Sequence, residues 1–236
     1  MKGLKLNNIY RIDCIEGIKN IPNNNIDIII TSPPYNLGNN HHTGVKKHKP
    51  YNDYMPEKKY QKWQKDVLNE CFRVLRKGGS MFYNHKNRIR NGLQIAPYEW
   101  ITESQFLVKQ EIVWINRSQN FDKMRFYPWT ERVYWLVKDK STKLNNLINH
   151  HDVFDWKEWR PVGTRGSHTR AFPEIMVENI LSCFPKSKIV LDPFAGSGTT
   201  LVVAKKMKKK FIGFENNKKY YNLAKNRINY GKENKK

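Results

Sequence analysis

The chain has 236 residues, with 43 Lys and Arg against 21 Asp and Glu, a formal net charge of +22. That length supports one domain with a real core, and a content of 39% hydrophobic and 13% aromatic residues excludes wholesale disorder. No stretch approaches a membrane span, the N-terminus lacks a signal-peptide apolar region, and Cys14, Cys71 and Cys183 form neither a metal spacing nor a disulfide framework, so a reducing cytoplasm is expected.

In chain order, Ile9–Ile12 reads as a short strand ending at Asp13, and Cys14–Ile21 has helical spacing before the turn Pro22-Asn23-Asn24-Asn25. Asp27–Ile30 is a strand, followed by the turn Ser32-Pro33-Pro34-Tyr35 and a polar loop over 37–56. A helix from about Pro56 to Leu75 is predicted by the spacing of Trp63, Val67, Leu68, Cys71, Phe72 and Leu75, with Arg76-Lys77-Gly78-Gly79 as its basic last turn and stop. Strands follow at Ser80–Tyr83, Gln110–Ile115 and Arg132–Val137. A second polar insertion covers 138–166. Pro173–Cys183 is a helix with Pro173 in its first turn. Ile189–Leu191 is a strand, whose glycine-rich turn opens a helix running to about Met207. Phe211–Phe214 is a strand ending at Glu215, and Tyr220–Ile228 is the last helix, before a basic tail. The alternation predicts an α/β fold, a mostly parallel sheet with helices on both faces, in one domain spanning 1–236.

Two turns carry the chemistry. Each ends an apolar β-branched run and so sits at the carboxyl end of a buried strand, where open α/β sheets bind ligands. In Asp192-Pro193-Phe194-Ala195-Gly196-Ser197-Gly198-Thr199-Thr200, the two glycines allow a tight turn and close approach of a ligand to the backbone. Leu201 stands where a dinucleotide fingerprint needs its third glycine, and no Lys precedes the Ser or Thr as in a P-loop. Glu215 follows at the distance where an acid meets ribose hydroxyls, and its charge discourages a phosphate there. In the other turn, Ser32 offers a hydroxyl acceptor, Pro33 a carbonyl in a turn of fixed φ, Pro34 no competing N–H, and Tyr35 a ring for stacking. Two acceptors holding both N–H bonds of an exocyclic amino group would favour pyramidal nitrogen and aim its lone pair at a methyl donor. The excess of basic residues suggests a polyanionic partner; codon bias accounts for abundant Lys, Asn, Ile and Tyr but not for the missing acids.

These segments, in this order, make the chain similar to DNA amino-methyltransferases of the permuted β type. The resemblance implies a Rossmann-like methyltransferase sheet, circularly permuted so that the catalytic motif precedes the cofactor motif. It implies S-adenosyl-L-methionine as cofactor and double-stranded DNA as partner. Ser32, Pro33, Pro34 and Tyr35 match the catalytic turn. Asp13, followed by Cys14, matches the acid that holds the cofactor's adenine amino group. His168, Phe172 and Pro173 lie in a segment resembling the cover over the methionine part, although Thr169 replaces the usual proline after the histidine. Asp192 to Thr200 match the glycine loop and Glu215 the ribose strand. No metal is implied. The loops 37–56 and 138–166 remain as candidate DNA-recognition segments, with Trp156, Trp159 and Arg160 able either to reach DNA or to serve a core. Ser at position 32 is typical of relatives acting on cytosine N4, while Asp or Asn is typical of those acting on adenine N6. Open alternatives are adenine N6, RNA or protein glutamine as substrate, and a DNA-binding subunit that has lost catalysis. A restriction endonuclease of the same site and a homodimer are open as partners.

Overall fold

A computed structural model describes residues 3–37, 54–117, 124–126, 128–144, 151–155 and 172–230. The elements are β1 (Asn8–Tyr10), α1 (Cys14–Lys19), β2 (Ile26–Thr31), α2 (Glu57–Val74), β3 (Leu75–His85), β4 (Arg88–Arg90), β5 (Leu93–Ile95), α3 (Tyr98–Ile101), β6 (Leu107–Ile115), β7 (Thr130–Val137), β8 (Val153–Phe154), α4 (Glu174–Cys183), β9 (Ile189–Asp192), α5 (Thr199–Lys206), β10 (Lys210–Phe214) and α6 (Lys218–Tyr230). Eight strands form one sheet in the order β1-β10-β9-β2-β3-β7-β6-β8, and β4 pairs with β5 as a separate hairpin.

From β1 through β3 every pairing is parallel, whereas β7 is antiparallel to both β3 and β6. The carboxyl ends of β1, β10, β9, β2 and β3 therefore share one edge with the amino end of β7. The two faces follow from the two-residue period of a strand. Ile28 and Ile30 point to one side, into a core with Met176, Val177, Leu201, Val203 and Ile228 from α4, α5 and α6. Ile29 points to the other, into a core with Ile18, Val67, Leu68 and Trp100 from α1, α2 and α3. β2 and β9 are neighbours in the sheet although the turns that follow them lie far apart in sequence, the catalytic one first; this is the permuted order expected.

Several expectations need correction. The helix α2 stops at Val74, not Leu75, and the stretch after it is already strand: the pairing jumps from Ile26↔Leu75 to Ile28↔Ser80, so Arg76 to Gly79 loop out as a bulge. Gly78 permits this, with φ +74°, a backbone that L side chains rarely adopt. Asp13 does not end a strand. It caps α1, accepting from the Ile15 N–H at 2.9 Å. Pro173 precedes the first turn of α4 as its N-cap. The insertion over 138–166 is not all loop, since β8 returns to the sheet edge beside β6 and buries Phe154. The hairpin β4–β5 and the short α3 stand where the sequence pattern shows no element. Most of 37–56, Trp156, Trp159, Arg160 and His168 lie outside the described residues.

Candidate active site

A cleft of about 370 Å³ opens at the shared strand edge, large enough for a nucleoside-sized ligand. It brings the two turns together. Ser32, Pro33, Pro34 and Tyr35 line one part, and Asp192, Pro193, Phe194, Ala195, Gly196, Ser197 and Thr199 line another, with Asp13, Cys14, Phe172 and Glu215. Pro173, Gly198 and Thr200 are not on its wall. Cleft residues that sequence reasoning missed include Asn36, Tyr54, Tyr60, Trp63 and Tyr220. Tyr60 and Trp63 read as ordinary faces of α2, and only the topology places them over the sheet edge.

Glu215 stands just past β10. Its two carboxylate oxygens accept from the Gly196 N–H at 2.9 Å and the Asn217 N–H at 2.8 Å, which ties the ribose-side acid to the glycine turn. A carboxylate has lone pairs to spare after two such bonds, so it can still accept from hydroxyls. Burial pushes the Glu215 carboxyl upward, opposed by those two bonds. Asp192 is held by the Thr31 hydroxyl at 2.7 Å and the Phe194 N–H at 3.1 Å, and burial pushes it up to about 6. Trp63 meets Phe194 edge-on, ring centroids 5.6 Å apart, and both border the cleft.

Gly198 has φ +82° and lies off the cleft wall. A Cβ there would lie 2.9 Å from the Cβ of Ala224 in α6. A helix therefore approaches this glycine closely. Arg227, also on α6, donates to the Ser197 carbonyl at 2.7 Å and to Glu174 on α4 at 2.9 Å, so α6 secures the turn from behind.

The proline turn is anchored by a chain of buried polar groups. Trp100 donates to the Tyr83 hydroxyl at 3.0 Å, Tyr83 to Gln64 at 2.9 Å, Gln64 to the Tyr60 hydroxyl at 2.8 Å, and Tyr60 to the Pro34 carbonyl at 2.7 Å. The Tyr35 ring is 6% exposed and packs against His85 at 4.6 Å between centroids. Burial pushes His85 down to about 3, so its imidazole is neutral. The Tyr35 hydroxyl is not idle: Ser32 Oγ, Asn84 Oδ1 and Glu131 Oε2 lie 2.8, 2.8 and 2.9 Å from it. Asn84 and Glu131 sit at the ends of β3 and β7, where a polar residue in a strand pattern reads as solvent-facing.

The donor set fits a sulfonium-bearing adenosyl cofactor. Among the described residues lining the cleft there are three acids, Asp13, Asp192 and Glu215, and no Lys or Arg, in a chain of net charge +22. Such a pocket favours a cation and disfavours a phosphate. Three free cysteines are buried, and among the described residues no cluster that could hold a metal occurs and no helix is long and apolar enough to cross a membrane.

A Rossmann-like sheet with a ligand cleft at its carboxyl edge is the architecture of an enzyme that binds a nucleoside cofactor. The family of N6 and N4 methyltransferases described as DNA methylase matches residues 26–226, and the chain belongs to it. It is thus a DNA amino-methyltransferase dependent on S-adenosylmethionine. Similar curated proteins include the type II methyltransferase M.BglII of Bacillus subtilis, 29% identical and covering 93% of this chain and 68% of the relative. Another is M.ScaI of Streptomyces caespitosus, 26% identical with 93% and 80% covered. Among solved structures, the PvuII cytosine-N4-specific DNA methyltransferase is similar with a TM-score of 0.71 at 20% identity, covering 93% of this chain and 85% of that one. The M1.HpyAVI–SAM complex is similar at 0.63 and 24%, with 94% and 98% covered.

Proposed function

We propose that this enzyme methylates the exocyclic N4 of cytosine at a specific site in double-stranded DNA, with the target base turned out of the duplex into the cleft. The observation that carries this reading is the Ser32–Tyr35 turn standing in the same acidic cleft as the glycine turn and Glu215. Ser32 Oγ and the Pro33 carbonyl accept from the two amino hydrogens of the base, and the Tyr35 ring gives it a stacking surface worth roughly 1–3 kcal/mol. S-adenosylmethionine supplies an electrophilic methyl group when bound. Glu215 would hold its ribose, and the backbone of 193–197 with Asp13 and Cys14 would complete the cofactor's site. The protein's own work is to hold the amino nitrogen in line and exclude water. Ser at position 32, rather than an acid or amide, favours cytosine over adenine. The type II designation of the relatives supports a companion restriction endonuclease of the same site, and DNA as substrate supports a cytoplasmic location.

The test is single-turnover methylation of duplex DNA with a labelled methyl donor, alongside calorimetry for cofactor. Tyr35→Ala and Ser32→Ala are each expected to lose about 100-fold in rate, as a small misplacement of reactants does, with cofactor affinity unchanged. A wild-type rate for Tyr35→Ala would put the substrate pocket elsewhere.

A further inference from the structure

Around the buried Tyr35 oxygen the hydrogen count does not close if every carboxylate is ionised. Asn84 Nδ2 donates to the Arg132 carbonyl at 3.0 Å, which turns Asn84 Oδ1, an acceptor only, toward Tyr35 at 2.8 Å. Glu131 Oε2 lies 2.9 Å from the same oxygen, and Glu131 Oε1 accepts from Asn116 Nδ2 at 2.9 Å. The phenol has one proton. With Glu131 ionised, two acceptors at hydrogen-bond distance face that one proton, and one oxygen–oxygen contact is left with no hydrogen between them. A close contact between two acceptors with no hydrogen between them is destabilising. With a proton on Glu131 every contact is filled: Glu131 donates to Tyr35, Tyr35 donates to Asn84, and the Ser32 hydroxyl donates to the second lone pair of Tyr35.

We propose that Glu131 is a positioning residue that works as a neutral carboxylic acid, donating to Tyr35 and thereby holding Tyr35 and the Ser32 hydroxyl so that the lone pairs of Ser32 face the cleft. This rests on the reading of Ser32 as the acceptor of the base amino group, and it assigns the role to a residue on a strand far from the motif in sequence. The groups set against Glu131 are Tyr35 from the turn, Asn84 near the end of β3, Lys86 just past it, and Asn116 after β6. Its chain neighbour Arg132 is engaged by Glu111 at 2.8 Å. Burial pushes the Glu131 carboxyl above its ordinary range, opposed by the hydrogen bonds of Tyr35, Asn84 and Asn116 and by the charge of Lys86, and burial likewise holds Tyr35 well above its ordinary range as a neutral phenol. When Glu131 does ionise, two acceptors compete for one proton, Tyr35 shifts, and Ser32 shifts with it. Turnover therefore falls as pH rises through the Glu131 ionisation.

The amide introduced by Glu131→Gln would carry the same pattern as the neutral acid, an N–H toward Tyr35 and an oxygen toward Asn116, without the ionisation. The experiment compares the full-length wild type with Glu131→Gln and Glu131→Ala. The pH dependence of kcat on duplex DNA, cofactor affinity by calorimetry and the infrared difference spectrum at neutral pH are measured. The expected results are a C=O band of an un-ionised carboxylic acid in wild type that Glu131→Gln lacks, and a kcat for Glu131→Ala lower by about 30-fold with cofactor affinity kept. In Glu131→Gln turnover is rescued to within about threefold of wild type, and the alkaline decline is gone. Absence of the band overturns the proposal, and so does a folded, cofactor-binding Glu131→Gln as inactive as Glu131→Ala, which would make the carboxylate a base. The infrared measurement needs no turnover. A protein that shows the band but transfers no methyl group to DNA would refute the proposed substrate while upholding the neutral acid.

Discussion

Asp192 shows how a single residue trades stability for position. It ends β9 inside the sheet edge, takes the Thr31 hydroxyl and the Phe194 N–H, and starts the glycine turn. Burial outweighs these bonds and raises its carboxyl from 3.8 to about 6, so the fold favours the neutral acid. Below pH about 4 the group is protonated in folded and unfolded chains alike and its contribution is fully present. As pH rises toward 6 the unfolded chain releases the proton first, and stability is lost. A difference of about two units at about 1.4 kcal/mol each amounts to something on the order of 3 kcal/mol. Asn keeps the acceptor oxygen without the charge. Urea unfolding of the apo protein should find Asp192→Asn more stable than wild type by roughly that amount above about pH 7, the gap closing below about pH 4; a constant gap across that range would show that Asp192 does not titrate this way. Residues of this kind were only half legible in the sequence. Ser32, Asp192 and Glu215 were visible because each follows an unmistakable apolar run. Asn84 and Glu131 were not, because their partners come from other strands and nothing local marks a polar residue at a strand end as buried.

At the scale of elements, β2, β9, β10 and α2 followed from periodicity because their apolar faces are complete. The β4–β5 hairpin did not. Its first residue, Arg88, is buried and charged, paired with Glu57 through two bonds of 2.7 and 2.6 Å and set over the Tyr60 ring at 4.7 Å. A pattern search takes such an arginine for surface. The glycine turn is legible from its composition, but the helix packed behind it is not. Gly198 is small because α6 crosses it at Ala224. Gly198→Ala should therefore lower stability through both the left-handed backbone, about 1–2 kcal/mol, and the clash. In a double-mutant cycle the substitution should cost less in an Ala224→Gly background than in wild type, with the backbone part remaining. Strict additivity in thermal or urea unfolding would mean that α6 does not set the size of residue 198.

Over the whole molecule, charge is divided. The chain is strongly basic, yet the cleft is bordered by three acids and, among its described residues, no Lys or Arg, so the protein as a whole suits a polyanion and the cleft a cation. That division, with a permuted order that makes the turns after β2 and β9 neighbours, fits a protein that attracts DNA and carries a methyl group to one base in it. The two motifs, their order and the three acids Asp13, Asp192 and Glu215 were legible in the sequence; that no Lys or Arg stands beside those acids among the described lining residues emerged only with the fold. The central claim is the acceptor nitrogen, cytosine N4, inferred from Ser32. It is tested most directly by incubating unmethylated duplex DNA with the enzyme and labelled S-adenosylmethionine, digesting the DNA to nucleosides and resolving the labelled product. N4-methylcytosine is the predicted product; label in N6-methyladenine alone, or in no nucleoside while RNA or protein is methylated, would contradict it.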